Sequence, residues 1–200
     1  MTVPFDRKSL RRELRAVRRE VDGDDRTRRE AAIAGHTASV ICGLTAGRVA
    51  AYRCDDGEVD LDATVQSLRS GGVTVTLPVL REGLMSFRDF AAGTRLVKGD
   101  FGLEEPSEGA VVAPEQHAVV LAPLVAFDAA CNRMGRGGGH YDRAFGPLRQ
   151  RAVGQGRPLM VGIAFEAQRV AMLPTEDHDV PMDVVVTDRG VRWCSPSHAG

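Results

Sequence analysis

The sequence predicts an α/β fold, a three-layer α/β/α sandwich in which helices cover both faces of a mainly parallel sheet. Short apolar runs alternate with segments whose apolar residues recur at helical spacing, and this alternation is typical of βαβ units. The run at residues 117–126 (HAVVLAPLVA) lacks polar alternation, as expected of a central strand with both faces covered. A chain of 200 residues is expected to form one domain, residues 1–200.

The first half of the chain predicts two helices followed by a strand–helix–strand unit. An amphipathic first helix with a strongly basic face is predicted by four apolar residues at helical spacing, Leu10, Leu14, Val17 and Val21. A second helix is expected from about residue 24 to before residue 47. A buried strand at 48–53, a polar loop at 54–58 (CDDGE), a helix at 61–69 and extended structure at 73–80 follow.

The second half predicts further strands around one short helix. An edge or hairpin strand is expected at 84–90, and a long ordered loop at 97–109 (VKGDFGLEEPSEG). The central strand at 117–126 is expected to lead directly into a glycine-rich turn and a helix at about 140–149, in which Gly146 and Pro147 favour an earlier end. The last predicted elements are strands at 159–165 and 183–188 and a hairpin through 189–193. In such folds ligands bind at the carboxyl ends of the strands.

The glycine-rich turn lies within residues 127–145 (FDAACNRMGRGGGHYDRAF) and predicts phosphate binding. Glycine lacks the side chain that would keep an anion at a distance, and it accepts backbone angles that let successive amides converge. The residues concerned are Arg133, Gly135, Arg136, Gly137, Gly138 and Gly139. The segment matches neither GxxxxGK(S/T) nor a complete GxGxxG. A flexible connector is the alternative, and the interleaved arginines disfavour it.

Composition excludes several classes of protein. The 26 basic and 27 acidic residues nearly cancel, so the whole chain lacks the charge bias of a general nucleic-acid binder. The four cysteines form no CxxC pair or Cys/His cluster, which disfavours a zinc site and predicts free thiols in a reducing cytosol. No apolar run approaches the ~20 residues of a membrane span. A soluble, cytoplasmic protein is expected.

A few charged residues outside the turn are candidates for ligand contacts. Lys8 and Arg11 lie three apart near the start of the first helix and are placed to reach a triphosphate if that helix docks over the site. The other arginines of the helix, Arg12, Arg15, Arg18 and Arg19, are interpreted as solvated. Glu58 follows a predicted strand end, which weakly favours a ligand contact over a solvated carboxylate. Asp142 and Asp179 would each be unremarkable alone, but with a triphosphate they suit magnesium.

Three motifs resemble one family and come in its order along nearly the full chain. Residues 7–11 (RKSLR) match its KxxLR-like start, residues 132–143 (NRMGRGGGHYDR) its NRLGYGGGYYDR-type signature, and residues 173–179 (LPTEDHD) its LPxExHD segment. On these motifs the chain resembles the 5-formyltetrahydrofolate cyclo-ligases, or 5,10-methenyltetrahydrofolate synthetases. The resemblance implies a NagB/RpiA/CoA-transferase-like sandwich. It also implies an ATP- and Mg²⁺-dependent ring closure of 5-formyltetrahydrofolate to 5,10-methenyltetrahydrofolate, with release of ADP and phosphate.

The resemblance also implies the site residues. Contacts to ATP, the co-substrate, are expected from Arg7, Lys8, Arg11, Arg133, Met134, Gly135, Arg136, Gly137, Gly138, Gly139, His140 and Tyr141. The folate is expected against Arg53, Glu58, Arg136, Gly137, Gly138, Gly139 and His140. Magnesium is expected at Asp142 and Asp179, and Arg136 and Asp142 are the expected catalytic residues.

Three positions depart from the family pattern and keep alternatives open. Arg7 stands where a lysine is usual, Cys131 where a glycine is common, and His140 where the first tyrosine of a Tyr-Tyr-Asp sequence is usual. One alternative is a drifted member that binds a nucleotide or sugar phosphate without cyclo-ligase activity. Another is a nucleic-acid-associated protein that uses the basic first helix. The favoured interpretation is a monomer acting on a small folate, with or without a polyglutamate tail, and with no nucleic-acid or membrane partner.

Overall fold

A computed structural model describes residues 6–42 and 47–194 of the chain. The strands of these residues are β1 (Arg48–Ala50), β2 (Thr74–Arg81), β3 (Leu84–Asp89), β4 (Leu96–Lys98), β5 (Glu104–Pro106), β6 (Val111–Val112), β7 (His117–Pro123), β8 (Ala126–Phe127), β9 (Arg133–Met134), β10 (Leu159–Ile163), β11 (Val184–Thr187) and β12 (Gly190–Trp193). The helices are α1 (Arg7–Arg19), α2 (Gly23–Ile41), α3 (Asp62–Ser70) and α4 (His140–Phe145).

An eight-stranded sheet forms the centre, in the order β12-β11-β10-β7-β1-β2-β3-β6. The strands from β11 to β2 in this order are parallel to one another. Antiparallel strands extend both sides of this parallel block. The mainly parallel sheet confirms the predicted α/β fold, and β7 lies in its interior as its uninterrupted apolar sequence predicts.

Separate hydrophobic cores cover the two faces of the sheet. On one face, residues of α2 and α3 such as Ile33 and Val65 pack against the strands. On the other face, Phe145 of α4 and Phe87 of β3 belong to a second core. The first helix packs apart from both, where Leu14 is buried with Met134 and Leu173. Both faces are therefore closed to water, as a parallel sheet requires.

The first helix begins where its sequence provides a cap. The Asp6 carboxylate accepts hydrogen bonds from the backbone N–H groups of Lys8 at 2.9 Å and Ser9 at 3.1 Å. These N–H groups have no partner within the helix, so the cap fixes its first turn. The second helix ends at Ile41. The residues between 42 and 47, where its end was predicted, lie outside the described residues.

Local differences separate the structure from the prediction. The segment expected as a loop at 97–109 contains β4 and β5, which pair as a two-stranded sheet. A hairpin of β8 and β9 lies between β7 and the glycine-rich turn, so the direct connection predicted there is wrong. The helix expected at 140–149 is shorter because Gly146 and Pro147 follow it in a 3₁₀ turn.

The expectation of four free thiols is also wrong. Cys131 and Cys194 form a disulfide with their Cα atoms 6.0 Å apart, while Cys42 and Cys54 are free. The pair is separated by 63 residues in sequence, and only the folded sheet brings the two together. Among the described residues, no helix is long and apolar enough to cross a membrane.

Candidate active site

A cavity of about 540 Å³ opens where the loop after β1, the glycine-rich turn and the start of α1 meet. Its volume is within the range of small-molecule sites. Pro123 at the end of β7 and Tyr52 just after β1 line it, so it lies at the carboxyl ends of parallel strands. Glu176, His178 and Asp179 complete the wall.

Two glycines of the turn are constrained in different ways, Gly137 by its backbone angle and Gly138 by a close side chain. Gly137 has φ 104°, in the left-handed region that disfavours other residues. A Cβ on Gly138 would lie 2.6 Å from His140 Nε2. Arg11 Nε of α1 donates to the Gly135 carbonyl at 2.8 Å. This hydrogen bond attaches the first helix to the turn, which was the condition for Lys8 and Arg11 to reach a ligand there.

Arg136 connects the glycine-rich turn to the loop after β1. Its guanidinium lies 2.6 Å from an Asp55 carboxylate oxygen, and both side chains are partly exposed. In that same loop, Arg53 donates to Glu104 at 3.2 Å and also pairs with Asp62. Arg53 and Arg136 therefore line the cavity as partly exposed arginines whose acidic partners are also reached by solvent, which screens these pairs.

Arg133 and Asp142 form a nearly buried pair. The Arg133 guanidinium pairs with the Asp142 carboxylate, and its Nε donates to the Val180 carbonyl at 3.0 Å. Asp142 accepts a second hydrogen bond from the Val180 N–H at 3.0 Å. Both side chains also line the cavity. By contrast, Met134 between the two arginines of the turn is 1% exposed in the core with Leu14 and does not line the cavity.

Arg7 contacts Asp179, the second of the two aspartates predicted to bind magnesium. It donates to Asp179 Oδ2 and to the Pro174 carbonyl, each at 3.2 Å, and lies 3.4 Å from Glu176 Oε1. Burial opposes ionisation of Asp179, but hydrogen bonds from the Glu176 N–H and from Arg7 outweigh it, so its pKa falls below the ordinary value. Asp179 is therefore a carboxylate at neutral pH.

Glu58 is the most buried carboxylate of the cavity among those predicted to bind a ligand. It is 4% exposed and accepts a hydrogen bond from the Asp55 N–H at 3.2 Å. Burial raises its pKa, and the charges of Arg18 and Arg136 partly oppose that rise. A buried carboxyl group at a cavity wall is suited to accept hydrogen bonds from a polar heterocycle.

Arg15, Arg18 and Arg19 all contact Asp56, and the interpretation of them as solvated is wrong for Arg18. Arg19 is 54% exposed and Arg15 is partly exposed, so solvent still reaches both. Arg15 Nε and Arg19 Nε each lie 2.6 Å from a carboxylate oxygen of Asp56, and Arg18 lies at 3.0 Å. Arg18 is 1% exposed. The signal was present in the sequence, since Arg18 follows Leu14 by four residues and so shares the inward face of the helix.

His140 lines the cavity beside Arg143 and Phe101. Its Nδ1 is 3.1 Å from an Arg143 guanidinium nitrogen, and its ring meets that of Phe101 edge to face at 5.2 Å. Arg143 also donates to the Gly83 carbonyl at 3.0 Å. The imidazole therefore joins α4 to the β2–β3 hairpin, a contact that no local sequence signal predicts.

A sequence profile described as the 5-formyltetrahydrofolate cyclo-ligase family matches residues 5–188. The chain belongs to this family. A 5-formyltetrahydrofolate cyclo-ligase of Haemophilus influenzae is 32% identical, covering 90% of this chain and 97% of the relative. The enzyme of that name from Saccharomyces cerevisiae is 31% identical, covering 92% and 96% respectively. The cyclo-ligase assignment from the sequence is confirmed.

Solved structures agree with this assignment. The NMR structure of Aquifex aeolicus 5,10-methenyltetrahydrofolate synthetase superposes with a TM-score of 0.81 at 28% identity, covering 97% of this chain and 99% of that one. The synthetase of Mycoplasma pneumoniae gives a TM-score of 0.73 at 22% identity and shares the fold. The α/β architecture is therefore that of the cyclo-ligase family.

Nearly all the residues that the resemblance singles out meet in the one cavity. They are Arg7, Lys8, Arg11, Arg53, Glu58, Arg133, Gly135, Arg136, Gly137, Gly138, Gly139, His140, Tyr141, Asp142 and Asp179. Met134 alone among the predicted residues does not line it. The family motifs are thus distant in sequence but adjacent in the fold.

Proposed function

We propose that the protein converts 5-formyltetrahydrofolate to 5,10-methenyltetrahydrofolate with ATP and Mg²⁺, releasing ADP and phosphate. The observation that carries this proposal is the convergence of three family motifs on one cavity. That cavity combines arginines, glycine backbone and carboxylates, which are the groups that bind phosphates and a divalent metal. Membership of the cyclo-ligase family supports the same reaction.

ATP is proposed to lie against α1 and the glycine-rich turn. Arg7, Lys8 and Arg11 contribute cationic side chains from the helix, and Arg133 and Arg136 contribute them from the turn. Small glycines let the phosphates approach the backbone closely. Met134 is assigned a backbone contact at most, because its side chain is buried away from the cavity.

Asp142 and Asp179 fit a magnesium site that ATP completes. No group of three or more potential protein ligands is clustered in the described part of the chain. Two carboxylates with phosphate oxygens and water are the set that Mg²⁺ prefers. When bound, the metal supplies positive charge to the phosphate oxygens. Arg7 and Arg133, which now pair with these carboxylates, are released toward the phosphates.

The folate is proposed to lie between Arg53, Glu58 and the turn. Glu58 is buried at the inner wall and accepts hydrogen bonds from the pterin. Arg136 to His140 separate the folate from the nucleotide, and Arg136 connects the turn to the loop after β1. This placement brings the formyl oxygen next to the terminal phosphate, where binding alone provides the alignment that the reaction needs.

The protein's part in the chemistry is alignment and charge neutralisation. The formyl oxygen attacks the γ-phosphorus, ADP leaves, and an iminium phosphate forms on the substrate. Nitrogen 10 then attacks the formyl carbon, loses its proton, and inorganic phosphate departs. Arg136 stabilises charge on the transferred phosphoryl group, and no covalent bond to the protein is required.

The test of this function is folate-dependent release of phosphate from ATP. We expect one phosphate per folate consumed and almost none without 5-formyltetrahydrofolate. ATP binding without folate-dependent release would instead favour the drifted member that binds a nucleotide or sugar phosphate. The inward contacts of α1 arginines with Asp56 support a small-molecule site over a nucleic-acid surface. A monomer remains our prediction.

Replacing Glu58 with glutamine is expected to raise the KM for folate about tenfold or more while changing the KM for ATP less than twofold. The amide keeps the size of the carboxylate but loses its charge, and hydrogen bonds to charged groups are stronger than those to neutral ones. Steady-state kinetics with each substrate varied in turn measures the difference. An unchanged KM for folate would remove Glu58 from the folate site.

Replacing His140 with tyrosine is expected to preserve turnover or raise it. The tyrosine restores the family residue at the cavity wall, where a phenol stacks on Phe101 over a larger area than imidazole. The matched control is His178→Tyr, at an exposed histidine of the same cavity. Total loss of activity in the His140 variant alone would assign the histidine a role beyond shaping the cavity wall.

A further inference from the structure

Arg18 is a buried charged residue that the cavity does not contain. Its side chain is 1% exposed on α1, a helix whose Arg19 is 54% exposed. Its guanidinium donates to the Asp56 carbonyl at 2.7 and 3.2 Å and to the Leu124 carbonyl at 3.2 Å. Burying a cation is costly unless it is paired and hydrogen-bonded. Most of these partners belong to Asp56 in the loop after β1, so Arg18 attaches α1 to that loop.

That loop carries Glu58. Arg18 Nη1 lies 3.6 Å from Glu58 Oε1, and both side chains are at most 5% exposed. The same guanidinium holds the Asp56 carbonyl and carboxylate, two residues before Glu58. Arg18 therefore fixes the backbone that carries Glu58 and stands beside its carboxylate.

The charges around Glu58 make Arg18 its main buried counterion. Burial raises the pKa of Glu58, and Arg18 is the first of the charges that oppose this effect, followed by Arg136. Arg136 is 38% exposed and pairs with Asp55. Charges interact more strongly where water is excluded, so the buried arginine compensates the carboxylate more effectively.

We propose that Arg18 is a positioning residue, which holds the Glu58 carboxylate in place against the pterin of the folate. This inference rests on the proposed function and deepens it, because it assigns folate affinity in part to a residue outside the cavity. The first helix then serves both substrates: Lys8 and Arg11 face the nucleotide, and Arg18 supports the folate wall.

The chain offers a matched control in Arg19. Arg19 also pairs with Asp56 but is 54% exposed. Arg19→Met therefore loosens the attachment of α1 to Asp56 without removing the neighbour of Glu58. Arg18→Met removes both a contact between α1 and Asp56 and the positive charge next to Glu58. A difference between the two variants reports the contact with Glu58 rather than helix docking.

The experiment is a double-mutant cycle on equilibrium binding of 5-formyltetrahydrofolate. We expect Arg18→Met to weaken binding about tenfold when Glu58 is present and less than twofold in the Glu58→Gln background. Arg19→Met should weaken it less than twofold. The affinity for ATP, measured on the same proteins, should stay within about twofold of the wild-type value. Arg18 and Glu58 contact each other and are expected to couple, whereas neither is expected to contact ATP.

The outcomes separate this inference from the proposed function. Wild-type protein without affinity for 5-formyltetrahydrofolate would overturn both. Wild-type binding with additive effects of Arg18→Met and Glu58→Gln would overturn the positioning role alone. If Arg18→Met does not fold, Arg18→Lys takes its place in the cycle. Lysine keeps the positive charge but cannot form the several hydrogen bonds of the guanidinium. We therefore expect Arg18→Lys to weaken folate binding less than Arg18→Met does, and to have no effect in the Glu58→Gln background.

Discussion

Asp142→Asn is expected to lower turnover at saturating ATP and folate by about 100-fold or more. The amide keeps the shape of the side chain but loses the negative charge proposed to hold magnesium, and a lost metal contact affects the transition state most. Affinity for Mn²⁺ in the presence of ATP, measured by electron paramagnetic resonance, should fall in parallel. This second readout is independent of activity.

Glu176→Gln is the matched control for Asp142. Glu176 also lines the cavity and lies 3.4 Å from Arg7, but its side chain is 52% exposed and it is not an expected metal ligand. We expect less than a threefold change in turnover and unchanged Mn²⁺ affinity. Normal turnover and normal Mn²⁺ binding in Asp142→Asn would remove this aspartate from the site and overturn its catalytic assignment.

Asp56→Asn is expected to lower the free energy of unfolding at pH 7 by about 2 kcal/mol, because it removes the charge of the nearer of the two carboxylates beside the buried Arg18. The arginine contacts outweigh burial and lower the pKa of Asp56 to about 2. Its unfolded pKa is about 3.9, so the stabilisation is present above pH 4 and is lost as pH falls toward 2. The difference between variant and wild type should shrink to about half at pH 3.

Urea denaturation at pH 7 and pH 3 measures this pH dependence. Asp25→Asn is the control, because Asp25 also pairs with two arginines, Arg28 and Arg29, but is 45% exposed. Solvent screens such pairs, so we expect a much smaller change. Equal destabilisation by the two substitutions, or an Asp56→Asn effect independent of pH, would contradict the proposed role of the buried arginine.

Helices and strands that produce a pattern within one stretch of sequence could be predicted. The apolar spacing around Leu14 predicts α1, and the uninterrupted apolar run before Pro123 predicts a central strand. The β8–β9 hairpin could not be predicted in this way, because its two-residue strands are too short to show a periodicity. The same reason explains why β4 and β5 were expected as a loop.

The features of the candidate site also include some that the sequence predicts and some that it does not. The glycine-rich turn and LPTEDHD are contiguous motifs, so their contribution could be predicted before the fold was known. The Arg18–Asp56 contact and the Cys131–Cys194 disulfide join segments 38 and 63 residues apart. The helical spacing from Leu14 indicates that Arg18 faces inward, but the partner of each residue depends on how α1 and the strands pack, so no single segment indicates the pairing.

The central claim is best tested by following absorbance in the methenyl-folate band while the protein is mixed with 5-formyltetrahydrofolate, Mg²⁺ and ATP, with ATP omitted in the control. We predict a rise that requires ATP and that Asp142→Asn largely abolishes. A flat trace from folded protein that binds both ATP and the folate would contradict the proposed reaction.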